Sequence, residues 1–381
     1  MKKVFLSALL IGATGMIFAQ NNTSTVNQTG VNNGSTVVQI GNDNNSQVDQ
    51  NGSMNVLGGE DNTATVLQLG SMNDAKINQL GDRNNASITQ TGIDNMSRQS
   101  QGTGWAEDNV QKAEQNGIGN KNYQLQRWDQ NTGEVYQNGL NNYANQDQQT
   151  MTNGILGNHA IINQTGTLNE AYQTQRGSGN FADALQDGVL NYSDQYQEGT
   201  NNEAYVVQYE ALNAAYQKQY GENNYAVAYQ NDIAAGGLNL AMQNQNGSFN
   251  TATVDQGGPA IDNWAFQTQL GDDNVALAKQ TGLTNTSYQN QAGIANESYT
   301  YQDGWLNFSE VNQLGFYNYS EVDQIGWVNQ SYVLQSGLSN KADIYQDGLF
   351  NVSNSFQFGT EHSNNVNQVG IGNNSFVFQS N

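Results

Sequence analysis

Between Asn22 and Asn381, small, aliphatic and amide residues recur at alternate positions, separated by residues of every kind. In Asn307–Gly337 the phrase Asn-x-Ser-x-Val-x-Gln-x-Gly is written three times, opening at Asn307, Asn318 and Asn329. Ser309, Val311 and Gln313 hold one parity; Glu310 and Asn312 hold the other. A period of two marks a β-strand with one constant face. Identical small, branched and amide side chains stack well on copies of themselves. The constant face, with Val311, Val322, Val333 and Ile344 at its centre, is therefore expected to point inward. The variable face, with Glu310, Glu321, Tyr332 and Asp343, is expected to meet water.

Counted from its Gln, each unit has Asn six positions earlier, Ser or Ala four earlier and Gly two later. Thirty-one units run from Gln28 to Gln379; the Asn slot is kept in 30 (His362 is the exception), the Ser/Ala slot in 27 and the Gly slot in 25. Chance does not produce such a record, so the chain is a repeat architecture and not a string of ordinary domains. The step from Gln to Gln is eleven except before Gln68, Gln115, Gln164, Gln245 and Gln269. Each longer step still keeps its Asn (Asn62, Asn109, Asn158, Asn239, Asn263) six positions before the Gln. Insertions thus fall between a Gln and the next Asn, and loops tolerate insertions where strands do not. This predicts a strand of about six residues ending at Gln and a turn of about five. Pro259, the only proline, lies in one insertion, where no ladder bond is lost. Gly permits positive φ in the turn, and Asn at the turn exit tolerates the left-handed conformation and local side-chain bonding.

The central inward slot counts the strands in a coil. Gln fills it at Gln99, Gln124, Gln146, Gln173, Gln195, Gln217, Gln243, Gln267 and Gln289. Ala113, Val135, Ile162, Ala184, Val206, Ala228, Val254 and Ala278 fill it in between. Strict alternation means two strands per coil, since a three-sided coil would mix Gln and aliphatics in every column. The predicted fold is all-β: a two-sheet β-solenoid with two strands per coil of about 22 residues, about fifteen coils and roughly 70 Å long. One sheet then carries a Gln ladder of its own. In the uninterrupted C-terminal array the ladder and assembly positions are Gln280, Gln291, Gln302, Gln313, Gln324, Gln335, Gln346, Gln357, Gln368 and Gln379. With them go Asn274, Asn285, Asn296, Asn307, Asn318, Asn329 and Asn340. Stacked amides donate to one neighbour and accept from the other, which avoids about 1–3 kcal/mol for each buried amide left alone.

Composition narrows the chemistry. Lys2 and Lys3 precede an apolar run from Val4 to Phe18 that ends at Ala19, the layout of a secretory signal peptide at residues 1–19. Residues 20–381 form a single repeat domain. Without the two lysines the chain keeps ten basic and 34 acidic residues, a net charge of −24, which makes nucleic acid a poor partner. No later apolar stretch is long enough to span a bilayer, and there is no Cys for disulfides. His159 and His362 lie in separate units, the first read as a loop residue and the second as a substitute for Asn, so no catalytic constellation converges. Turn acids such as Asp43, Asp82, Asp94 and Glu222 are irregular and lack a calcium-binding nonapeptide. No enzyme activity, cofactor or metal is expected. Tyr172, Tyr216, Tyr288, Trp305 and Trp327 suit exposed strands, or a surface for carbohydrate or other fibres.

The unit Gln291-x4-Asn296-x5-Gln302 is similar to part of the curlin repeat, Ser-x5-Gln-x4-Asn-x5-Gln, and the likeness recurs along the array. Three features depart from that family. The repeats are far more numerous, the family's Ser slot is Asn here in both half-coils, and the array opens at Asn22 without a Gln-rich export segment before it. The resemblance implies an exported subunit of extracellular or cell-surface amyloid fibres that support adhesion and biofilm. Its partners would be copies of itself, related fibre subunits and export machinery. The array continues through Phe376, Val377, Phe378 and Gln379 with no distinct capping unit, which fits growth by strand-edge templating. The alternative is a monomeric secreted or surface solenoid that acts as an adhesin through its exposed aromatics.

Overall fold

The computed structural model describes residues 21–51, 60–102, 106–150, 156–230 and 237–381. The expected signal segment, residues 1–19, lies outside them, as do parts of four of the five insertions. Thirty-one strands are present among the described residues, from β1 (Thr23–Thr29) and β2 (Gly34–Asn42) to β30 (Ser363–Ile371) and β31 (Asn374–Ser380). The odd-numbered strands form a sheet of 16 and the even-numbered strands a sheet of 15. All pairing is parallel, each strand bonding to those two before and two after it. One coil is thus one strand of each sheet, the two-strand solenoid expected from the Gln alternation.

Register is kept residue for residue. Gln28 faces Gln50, and Gln313 faces Gln335. Insertions do not disturb it: Gln39 faces Gln68, and Gln230 faces Gln256. A slip of one residue would turn the whole inward set to solvent, so extra residues are confined to turns. The turn at Gly257–Ile261 shows how, with exposed Pro259 outside both flanking strands. The inward face is buried as expected: Val311 is 0%, Val322 0%, Val333 1% and Ile344 2% exposed. The core is thin, a single layer of side chains from each sheet.

Two boundaries differ from the sequence reading. Most strands are longer than six residues: β25 (Phe308–Phe316) has nine and passes through Gly315. Every backbone group in a uniform coil has its copy one coil away, so pairing continues through the bend. Gly315 takes φ +116°, and a Cβ there would come within 2.1 Å of the Gly337 carbonyl oxygen, so only glycine fits. The left-handed residue is also not the Asn but the one before it, such as Leu306 (φ 57°) and Val328 (φ 59°). Asn307 and Asn329 are buried instead. His159 opens β12 (His159–Thr167) on the outer face and is not in a loop.

Candidate functional site

The inward Gln of every strand joins a continuous hydrogen-bond chain along its sheet. In the odd sheet it begins with Gln28 Nε2 donating to Gln50 Oε1 (2.6 Å) and ends with Gln357 donating to Gln379 (2.8 Å). Gln269, Gln291, Gln313 and Gln335 continue it at 2.9, 2.9, 2.9 and 2.8 Å. In the even sheet the chain passes through Gln280, Gln302, Gln324, Gln346 and Gln368 at 2.8–2.9 Å. The second amide proton crosses the core: Gln313 Nε2 also donates to the Glu297 carbonyl at 2.7 Å. Each Gln therefore ties its own sheet along the axis and clamps the opposite sheet.

A second Gln column runs through the odd sheet. Gln99, Gln124, Gln146, Gln173, Gln195, Gln217, Gln243, Gln267 and Gln289 stack in the odd sheet, with Nε2-to-Oε1 bonds of 2.8–3.0 Å. The facing even-sheet slots hold Ala or branched aliphatics such as Ala184 and Val206, which leave room for the longer amides. The last rung is capped by residues that sequence reasoning passed over. Gln289 Nε2 lies 3.0 Å from Ser298 Oγ and 3.3 Å from Thr300 Oγ1 across the core. Ser355 and Asn364 make a similar pair, Asn364 Nδ2 donating to Ser355 Oγ at 2.8 Å. The signal was there: Thr300 and Ser355 break the Gln-or-aliphatic rule of the central slot.

Asn builds a third ladder at the turns. Asn307 Oδ1 accepts from both the backbone N–H (3.0 Å) and Nδ2 (3.2 Å) of Asn329. Asn329 Nδ2 in turn donates to the Gly348 carbonyl at 3.2 Å. The same arrangement joins Asn274 to Asn296, Asn296 to Asn318 and Asn318 to Asn340; Asn285 accepts the Asn307 backbone N–H. His362 keeps only the backbone part, its N–H donating to Asn340 Oδ1 at 3.2 Å. Its imidazole turns to the Phe358 carbonyl, consistent with a tolerated substitute for Asn.

Outside, aromatic rings form columns. On the odd sheet Tyr123, Tyr143, Tyr172, Tyr192 and Tyr216 follow one another at centroid distances of 5.2–5.7 Å. Tyr288 stacks on Phe266 at 4.7 Å, while Trp305 and Trp327 stack at 4.7 Å and 2° at a turn edge. Asp194 lies in register between Tyr172 and Tyr216. Burial pushes its carboxyl above the usual range, nearby Lys218 opposing the effect. Burial also raises Asp183, against His159, and Asp323, where Glu321, Asp303 and Asp347 add to it. The phenols of Tyr172 and Tyr192 are pushed up to about 12, mainly by the same desolvation.

The raised carboxyls fix a pH dependence. The fold binds their protons more readily than the unfolded chain, whose carboxyls titrate near about 3.9. The stability they add is complete below that value and is lost as pH rises through the raised values. The thermal midpoint of the monomer should therefore rise, not fall, on acidification from about pH 7 toward about pH 4. Asp194→Asn should flatten part of that slope. A midpoint that drops over this range in melting curves would contradict the assignment.

A parallel two-sheet solenoid closed by amide ladders, with strand edges at each end of the stack, defines a structural repeat protein. Fold and repeat fit a curli-like or adhesin-type extracellular protein. Residues 59–92, which hold the half-coils of Gln68, Gln79 and Gln90, match the family model of the curlin associated repeat. No curated protein matches the chain.

Proposed function

We propose that the chain is a structural subunit of extracellular curli-like amyloid fibres. It is secreted through export machinery and polymerises with copies of itself, or with related fibre subunits, in support of adhesion and biofilm matrix. The observation that carries this reading is the polarity of the ladders. In both continuous chains the Gln side chains from Gln28 to Gln357 and from Gln39 to Gln346 each donate to the copy one coil later. Among the described residues, nothing donates to Gln28 Oε1 or Gln39 Oε1 at the first coil. At the last described coil Gln368 and Gln379 each give one N–H to a carbonyl, Val352 and Ser363, and among the described residues the other has no acceptor. Copies stacked head to tail bring donors to acceptors and pair the open strand edges. The outer Tyr column favours a second reading, a monomeric adhesin binding carbohydrate or another surface through exposed rings.

Incubation of the purified mature chain separates the two. Thioflavin-positive, detergent-resistant fibres support the first; a soluble monomer that persists at high concentration supports the second. If fibres form, the net charge of −24 should slow their growth. Lag times should then shorten as pH falls toward about 4, where carboxylates discharge, and as added salt screens the rest. Lag times insensitive to both would show that charge does not govern the encounter.

A further inference from the structure

The two turn edges of the solenoid are unlike. Nearly every turn among the described residues has a left-handed residue just before the Asn, a position that suits Gly, Asn or Asp. Turns that follow odd-numbered strands rarely place a bulky apolar residue there, Phe249 and Tyr317 being the cases; most hold Gly or a polar residue, such as Gly179, Asn201, Asn223 and Asp273. Turns that follow even-numbered strands hold bulky apolar residues more often, Leu168, Leu190, Leu212 and Leu238 and later Leu306, Val328 and Phe350, although Asp43, Asp94, Gly119, Asn141, Asp262 and Gly372 take the position in other turns of this edge. A β-branched or bulky residue at positive φ is an outlier for its type. These side chains gain no compensating burial: Leu190 is 47%, Leu306 54% and Phe350 57% exposed. Backbone strain held at solvent-facing apolar residues, repeated along one edge, points to a use for that edge.

The preceding residues extend the strip. Leu283, Trp305, Trp327, Leu349 and Ile371 lie in register along the same edge. Trp305 and Trp327 are 45% and 49% exposed despite stacking on each other. From Leu283 to Gly372 neither of these two turn positions carries a charge on this edge; on the opposite edge the uncharged stretch is shorter, from Ile294 to Thr360, between Asp272 and Asp273 on one side and Glu361 on the other.

We infer that this edge pairs laterally with the same edge of a second copy of the chain. Charge selects the occupant. On a molecule with 34 acidic residues, this strip lets two copies touch without opposing carboxylates. Self-pairing needs only a self-complementary strip, and identical side chains repeating at the coil spacing supply one. Two C-terminal strips laid together would bury on the order of 1,000 Å², the lower bound for a specific interface. The contact is perpendicular to the axis and does not use the ladder ends. It stands apart from head-to-tail growth: in fibres it sets how many filaments run side by side, and in soluble protein it makes dimers.

The test compares the full mature chain with Leu306→Asn/Val328→Asn/Phe350→Asn. Asn suits the left-handed turn better than the native residues, so the triple variant should melt no lower than the parent. Tyr317→Asn is the control: the same turn position, 61% exposed, on the opposite edge. Sedimentation velocity reads dimerisation of soluble protein, and electron microscopy reads filament width. The triple variant should dimerise at least tenfold more weakly and give single filaments where the parent gives bundles, with thioflavin growth rates unchanged. Tyr317→Asn should behave as the parent. A parent with neither dimers nor bundles, a triple variant that pairs as well as the parent, or a control that loses pairing equally would each overturn the proposal. Loss of thioflavin-positive fibres with dimers retained would refute head-to-tail growth alone.

Discussion

Deletion of Arg176–Gln186 is expected to cost the solenoid far more stability than the longer deletion Arg176–Gln197. The shorter cut removes one half-coil, so every later strand changes sheet. The strand bearing Gln195 would then stack on the one bearing Ile162, and Gln173 would be covered by Val206. The bonds that now join Gln173 to Gln195 (2.8 Å) and clamp Gln195 to the Asp183 carbonyl (3.1 Å) are both lost. Two amide ends left in the core cost roughly 2–6 kcal/mol together, against a net stability of about 5–15 kcal/mol for a typical domain. Removing a whole coil keeps parity and rejoins like with like. Deletion of Leu314–Gln324 changes parity where both sheets carry Val and should be mild. Denaturant midpoints of the three proteins decide the matter. A half-coil deletion in the middle that is no worse than the full-coil one would refute the sheet-specific ladder.

A single inward amide should behave in the same way on a smaller scale. Gln313 accepts from Gln291, donates to Gln335 and reaches the Glu297 carbonyl. Gln313→Ala removes all three contacts, opens a cavity and leaves two buried neighbours unpaired, a loss of about 2–5 kcal/mol. Asn312, one residue away, points outward and bonds only to Asn290 and Glu310 on the surface. Asn312→Ala should stay within about 0.5 kcal/mol. Comparable losses in chemical unfolding would mean that the ladder contributes no more than surface polar contacts do.

The sheet assignment was legible because Gln99 to Gln289 alternate with aliphatics in a slot where stacking forbids mixing. Register was legible because insertions preserve the Asn-to-Gln distance. Three features were not. Strand length was underestimated because Gly reads as a turn, yet Gly315 stays in the ladder through a contact with Gly337 one coil away. The left-handed position was misplaced because Asn tolerates that conformation and the residue before it can be Leu, Val, Phe or Asp; a position that accepts anything sends no signal. The Ser298–Thr300 cap over Gln289 and the Asn364–Ser355 pair join facing sheets, a relation that no single-strand pattern records.

The uniform register also sets how the molecule yields under tension. Pulled through an end, a parallel coil unzips residue by residue, so the terminal coil peels while the rest of the stack stays bonded. Each coil released gives about 70–80 Å of slack for its two eleven-residue steps, and coils bearing insertions give more. Since one coil is held by much the same bonds as the next, there is no single weak point at which the whole solenoid fails. The chain acts as a reel of equal safety links that pays out length and dissipates work one link at a time.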